Sequence, residues 1–306
     1  MGVGPHATKF MTGILLLDKP GGITSHDVVA RARRLLGERR IGHAGTLDPM
    51  ATGLLVLVLG QATRLSSLLT GHDKTYDAAV RLGQATTTDD AEGTPLGEAA
   101  TEWPADEAVA AALEGFRGTF AQRPPAHSAK KVAGTRAYTL ARQDKPVDLA
   151  PVDVTVHELT MTGREGVDVH LRVRASAGFY VRSLARDLGT RLGCGAHLAA
   201  LRRVRSGTFD VADAWTLADA EQAGAGAVAD RLIAPADALG DLPAVTVTAG
   251  GLRRVRHGNF LTREHLEGPW PDQADGGGPV RILSDKRLVA LARPRGTALH
   301  PVVVLG

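Results

Sequence analysis

Val167, Val169, Leu171, Val173 and Ala175 alternate without a break with Asp168, His170, Arg172 and Arg174. A period of two places every apolar side chain of this stretch on one face of an extended chain, which predicts a half-buried strand. Two apolar runs, Gly13 to Asp18 and Leu54 to Leu59, predict further strands, the second fully buried. Pro20-Gly21-Gly22 breaks the first run, and Thr24 or Ser25 can cap a helix beginning there. Val28, Val29, Ala32, Leu35 and Leu36 then fall on one helical face, with Gly37 placed to end the helix. Ala62 to Leu69, Ala105 to Leu113 and Tyr180 to Leu192 read as helices, and Tyr76 to Leu82 as a strand.

With 306 residues, 43% hydrophobic and 23% charged, the chain can bury a core in one large domain or two smaller ones, which argues against disorder and membrane residence. No apolar run approaches a bilayer span, and residues 1–12 lack the apolar centre of a signal peptide. The single cysteine, Cys194, can make no internal disulfide, so a reducing, cytoplasmic location is expected.

Residues 83–102 are acidic and turn-rich, and a basic excursion opens at Arg123-Pro124-Pro125 and runs through Lys130, Lys131 and Arg136 to about Lys145. An alanine- and glycine-rich segment, 212–240, precedes a change of character. From Ala244 onward short Val/Leu-rich strands alternate with Gly/Pro/Asp turns, Gly276-Gly277-Gly278 forming one flexible tip, which predicts a small β-rich domain.

Net charge is only +3, but arginines cluster at Arg31, Arg33, Arg34, Arg39 and Arg40, at Arg202, Arg203 and Arg205, and at Arg253, Arg254 and Arg256. Such clusters form either a polyanion-binding face or an ordinary solvated one. One cysteine and scattered histidines give no zinc pattern. Gly42-His43-Ala44-Gly45-Thr46 lacks the Gly-Lys-Ser/Thr of a phosphate loop. Ser25-His26-Asp27 reads as helix capping, because neighbouring residues cannot form a spatial triad. The informative segment is Arg40 to Leu55, where Asp48 sits among glycines and before Pro49, immediately ahead of an apolar strand. Asp48-Pro49 either initiates a turn or holds one reactive carboxylate rigidly.

Taken together, GILLLDKPGGITSHDVV, RRIGHAGTLDPMATGLL, QATRL, KTY and TTTDDAEG across residues 13–93 resemble the bacterial tRNA pseudouridine-55 synthases, the TruB family. The resemblance continues through Gly178-Phe-Tyr180-Val-Arg182 to Gly189 and through Ala196 to Arg203, spanning residues 13–210. Leu252 to Gly258 carries a weaker likeness to that family's PUA-type RNA-binding domain.

The resemblance implies an α+β fold with a mixed, mostly antiparallel sheet. It divides the chain into a flexible tail at 1–12, a catalytic domain at 13–240 with an RNA-gripping insertion at about 103–150, and a PUA-like domain at 241–306. It implies isomerisation of uridine to pseudouridine in the tRNA T-loop, with Asp48 as catalytic aspartate, Arg182 paired with it, and Tyr76 packed on the target uracil. His43 would fill the gap left by the extruded base, Leu201 and Tyr180 would line the pocket, Lys19 and Pro20 would support its wall, and Asp90 would lie beside the RNA groove. Arg202 and Arg203 would belong to the RNA face. Outside the family, His43 would read as a structural loop residue and the two tyrosines as core aromatics. No cofactor, metal, membrane or obligatory protein partner is implied; the partner is the tRNA T stem-loop and the expected state a monomer. His127 and Lys130 stand where the family usually has tyrosine and leucine. Two other readings stay open: a non-catalytic tRNA-folding chaperone on the same scaffold, and a glycosidase releasing uracil.

Overall fold

The computed structural model describes residues 11–128, 130–132, 135–136, 149–270 and 277–305. Most of the expected flexible tail, the part of the basic excursion that includes Lys145, the side chains of Lys131 and Arg136, and Gly276 lie outside the described residues.

The alternating stretch forms the strand Asp168–Ala175, with Val169, Leu171, Val173 and Ala175 buried. It belongs to a ten-stranded sheet whose main path runs Trp215–Thr216, Gly13–Lys19, Thr52–Leu59, Ala196–Ser206, Lys74–Leu82, Asp168–Ala175, Val152–Glu165 and Gly118–Gln122. Ile41–His43 pairs with Thr52–Leu59, and Phe209–Asp210 with Ala196–Ser206. Two pairings are parallel, Gly13–Lys19 with Trp215–Thr216 and Thr52–Leu59 with Ala196–Ser206, and the rest are antiparallel. The sheet is therefore mixed and mostly antiparallel, in agreement with the expectation from sequence.

The second parallel pairing is short, with Thr52 opposite Arg202 and Gly53 opposite Arg203. Gly53 has φ 98°, and a Cβ there would stand 2.3 Å from the Arg203 carbonyl oxygen. Only glycine permits this approach. It fixes the chain just after Asp48 against the strand that carries Leu201 and Arg203.

The Ser25–Leu36 helix starts from a reciprocal cap: the Thr24 hydroxyl accepts from the Asp27 N–H while the Asp27 carboxylate accepts from the Thr24 N–H. Gly37, in the left-handed region, ends it. Its Val28, Val29, Ala32 and Leu36 pack on Leu15, Leu17, Leu55 and Leu57, each fully buried apolar side chain contributing about 1.5–3 kcal/mol. The segment expected as one helix at 62–69 is a 3₁₀ turn, Gly60–Leu65, followed by the short helix Ser66–Thr70. The Asp106–Glu114 and Val181–Leu192 helices share one core with the Asp168–Ala175 strand through Val109, Leu113, Leu184, Leu188 and Leu171.

The C-terminal part forms a five-stranded sheet in the order Leu266–Glu267, Ala244–Val247, Val280–Ser284, Arg287–Arg295, Ala298–Val304. Val245, Val255, Ile282, Ala290 and Leu299 make its own core, while Leu288, Leu291 and Leu305 pack in a cluster with Leu65, Leu69 and Leu239. The strand pattern did not anticipate its helix Ala249–Arg256. No helix among the described residues is long and apolar enough to cross a membrane.

Candidate active site

Asp48 lies in the loop between Ile41–His43 and Thr52–Leu59, and buried polar side chains pin that loop on both sides of it. Ser25, 2% exposed and freed from capping by Thr24, accepts from the Leu47 N–H at 2.9 Å and donates to the Leu47 carbonyl at 3.1 Å. Lys19, 0% exposed, donates from Nζ to the carbonyls of Pro20, Ile23 and Pro49 at 2.9, 2.7 and 3.1 Å. The Gly22 N–H also meets the Pro49 carbonyl, at 2.9 Å. With its neighbours tied on either side, the carboxylate has little room to wander.

Arg182 supplies the partner. It stands at the second position of the Val181–Leu192 helix, whose preceding residue, Tyr180, has its backbone N–H and carbonyl both bonded to the Gln122 side chain at 2.9 and 3.1 Å. Arg182 Nη2 donates to Asp48 Oδ1 at 3.3 Å, and Nε lies 3.0 Å from Asp48 Oδ2 as an ion pair whose N–H is not aimed at that oxygen. The remaining donors reach the Thr88 carbonyl at 3.2 Å, the His127 carbonyl at 2.8 Å and, at 3.5 Å, Asp90 Oδ2.

Burial raises the pKa of Asp48 above the ordinary carboxylate value; Arg182 pulls it down, and Asp90 adds to the rise. The lowering that Arg182 exerts is present but is outweighed by burial, the largest influence on this carboxyl. The Asp48 side chain nonetheless keeps 34% of its surface, so it remains open to a substrate.

Aromatic and aliphatic groups flank this pair. Tyr76 and Leu201 pack in one apolar cluster with Leu47, Ala51 and Ala78. Burial pushes the phenols of Tyr76 and Tyr180 up, with Asp48 among the charges acting on each. His43 ends its short strand with its ring 6.2 Å from that of His26, nearly perpendicular, and its buried Nδ1 has no hydrogen-bond partner among the described residues. Burial first, then His26 and Arg203, lower its pKa and favour the neutral ring.

Residues 33–181 match the model described as TruB family pseudouridylate synthase (N terminal domain), and residues 182–241 match the tRNA pseudouridylate synthase B C-terminal domain. A curated tRNA pseudouridine synthase B from Thermobifida fusca (strain YX) is 46% identical, covering 95% of this chain and 98% of its own. Another, from Solibacter usitatus (strain Ellin6076), is 45% identical over 96% of this chain and 100% of its own. The chain belongs to the TruB family of pseudouridylate synthases. Such synthases are isomerases. Among solved structures, a Cbf5-Nop10-Gar1 complex matches at TM-score 0.72 and 28% identity, covering 97% of this chain and 85% of that one. An H/ACA RNP bound to a substrate RNA containing 2'-deoxyuridine matches at TM-score 0.71 and 27% identity, covering 96% of this chain and 85% of that one.

Two residues sit elsewhere than expected, Arg203 from its place in an arginine cluster and Asp90 from the TruB resemblance. Arg203 is not on a surface: it is 1% exposed, because adjacent strand residues point to opposite faces and Arg203 takes the inner one. Arg202 takes the outer face and forms a two-pronged pair with Asp18 at 3.0 and 2.6 Å. Asp90, expected beside a groove, is 3% exposed behind Arg182, where its carboxylate also accepts from the Thr88 hydroxyl and the Glu92 N–H.

Sequence reasoning does not reach Ser25, which it offers only as an alternative to Thr24 for the cap, or Gln122, whose two bonds to the Tyr180 backbone join residues 58 positions apart. Gln122 ends the Gly118–Gln122 strand, and no spacing rule in the sequence points to its bonds with Tyr180. The departure from the TruB pattern at His127 is softened by the fact that Arg182 uses its carbonyl, a group every residue has. A separate cavity of about 900 Å³ lies on the other face of the sheet, lined by Thr75, Arg172, Arg174 and Arg205. These arginines are paired with Asp77, with Asp73 and Glu158, and with Asp210, so their charge is already answered.

Proposed function

We propose that the protein isomerises uridine to pseudouridine at position 55, in the T-loop of tRNA, with Asp48 as the catalytic carboxylate. The observation that carries this reading is the Asp48–Arg182 pair, fixed beside the apolar cluster that holds Tyr76 and Leu201, with the Asp48 side chain still 34% exposed. The reaction breaks the bond from ribose C1′ to base N1, turns the uracil and rejoins it through C5; a proton leaves C5 and N1 regains one. No electrons and no water are consumed, and no cofactor is called for. An ionised Asp48 can attack the sugar, attack the base or take a sugar proton, and an anion beside a cation-like sugar eases cleavage. Arg182 supports the ionised form against the burial that opposes it.

A uridine stacked in a folded loop must leave the stack, which costs on the order of a few kcal/mol, offset by stacking in the pocket and by filling the vacancy. Tyr76 and Tyr180 offer the ring faces, Leu201 the apolar floor, and the neutral His43 ring the replacement for the departed base. Affinity comes from phosphates met by the exposed arginines, including Arg253, Arg254 and Arg256 on the C-terminal helix. One chain holds the whole constellation, so the site needs no residue from a second copy, and the proposed acting unit is the monomer.

The test is unmodified tRNA and its isolated T stem-loop incubated with the protein, then mapped for pseudouridine and assayed for free uracil. Pseudouridine at position 55 with no uracil released is the expected result. Free uracil identifies a glycosidase, and tightly bound but unchanged RNA a chaperone; either outcome contradicts the proposal.

A further inference from the structure

Arg203 is among the largest fully buried side chains of the molecule, with 1% of its surface exposed. Unlike Arg202, which faces Asp18, it forms no ion pair with a carboxylate among the described residues. A guanidinium taken out of water without an anion is costly, and a fold that keeps one must use its donors. Here Nε donates to the Leu54 carbonyl at 2.7 Å, Nη1 to the Thr46 carbonyl at 3.3 Å and Nη2 to the Gly45 carbonyl at 3.1 Å. Gly45 and Thr46 precede Asp48 and Leu54 comes after it, so one side chain grips both ends of the catalytic loop. Arg203 also stands directly opposite Tyr76 across the antiparallel strands, where side chains share a face, and the phenol oxygen is its remaining partner.

We propose that Arg203 is a positioning residue for the isomerisation: its buried guanidinium ties the Tyr76 phenol to the backbone on both sides of Asp48, so that the ring wall and the carboxylate keep one spacing around the uridine. This rests on the reading of Asp48 and Tyr76 as two walls of the uridine site. The geometry explains why glycine stands at position 53, where the backbone of Arg203 must come within 2.3 Å of any Cβ. It also explains why a basic pair at 202 and 203 divides its labour. Arg202 is replaceable surface, whereas Arg203 spans loop and wall. The charged and titratable groups acting on the Tyr76 phenol are Arg203 and Asp48, with Tyr180 coupled to it from the facing element.

The experiment uses the full chain carrying [13Cζ]tyrosine, free of RNA. The protein has 3 tyrosines, and Tyr76→Phe identifies the resonance of interest. Arg203→Met removes the charge and the fork; Arg203→Lys keeps the charge and loses the fork. The Tyr76 resonance is expected to shift in both variants and to titrate at higher pH in Arg203→Met than in the parent protein, with Arg203→Lys between them. Single-turnover isomerisation should fall about ten-fold or more with RNA affinity within about three-fold, and adding Tyr76→Phe to Arg203→Met should cost less than the product of the two losses. An unmoved Tyr76 resonance in a folded variant, or fully multiplicative losses, overturns the proposal. Should both Arg203 variants fail to fold, Tyr76→Phe in [15Nε]arginine-labelled protein decides: a shifted Arg203 side-chain resonance supports the link, and an unshifted one overturns it. These resonances report on the free protein, so they stand or fall independently of whether Asp48 is the catalytic group.

Discussion

The Arg182 guanidinium reaches Asp48 through two nitrogens, Nε at 3.0 Å and Nη2 at 3.3 Å, from a side chain that keeps 5% of its surface. Its planar fork serves Asp48, Asp90 and two backbone carbonyls at once, which a lysine ammonium cannot reproduce. Arg182→Lys should therefore lower single-turnover isomerisation about 100-fold or more, as loss of an oriented charge donor does. RNA affinity, set by phosphates bound elsewhere, should stay within about three-fold. Filter binding and rapid quench on the same preparation check both.

Because burial raises the Asp48 pKa, the acid limb of kcat/KM should lie above the ordinary carboxylate value of 3.8. The sign for stability is the reverse of an ordinary salt-bridged aspartate. A carboxyl whose folded pKa is raised is a charge held against the fold's preference, a cost fully present above that pKa and relieved as pH falls through it. Asp48→Asn should accordingly melt no lower than the parent protein at pH 7, since Arg182 keeps Asp90 and the carbonyls of Thr88 and His127. Calorimetry on the two proteins decides it.

Ser25→Ala removes both bonds to Leu47 and leaves a buried N–H and carbonyl unanswered. The expected destabilisation is about 1–3 kcal/mol, the cost of an unsatisfied buried polar group. Isomerisation should slow more than RNA binding weakens, because the loop that loosens carries the carboxylate. Urea unfolding with parallel turnover assays measures the two effects.

Arg253, Arg254 and Arg256 form the last turn of the C-terminal helix, all exposed or partly so and none in an ion pair with a carboxylate among the described residues. Replacing any one with alanine should weaken RNA binding at low salt and reduce the slope of log K against log salt by about 1 for each phosphate no longer neutralised. Arg202→Ala should act more weakly, since its charge is already paired with Asp18 at the surface, and its effect on stability should stay within about 1 kcal/mol. Titrations at several salt concentrations separate the two classes.

Much of the fold could be read from periodicity. The alternation at 167–175, the apolar runs at 13–18 and 54–59 and the stop at Gly37 each reflect a local rule, and each became the corresponding element. The direction of individual arginines could not be read from clustering, which counts charge along the chain and ignores the two faces of a strand. Strand parity alone would have sent Arg202 and Arg203 to opposite sides, once 196–206 was taken as a strand. The cap at Thr24 or Ser25 was legible, but the role of Ser25 in the loop was not, because the two are equivalent caps by type and only the reciprocal bond with Asp27 selects Thr24 and frees Ser25. Asp90 lies close to Arg182 through a turn held by Thr86, Thr88 and Glu92, interactions that no spacing rule encodes. The net direction of the Asp48 shift depends on burial, which a sequence gives least directly.

The most direct test of Asp48 as the reacting carboxylate is single-turnover tritium release from RNA labelled at uridine C5, with Asp48→Asn beside the parent protein at matched RNA occupancy. The expected result is release by the parent protein, none above background by the variant, and RNA dissociation constants that agree within about three-fold because binding rests on phosphates. Appreciable release by Asp48→Asn would contradict a catalytic role for this aspartate.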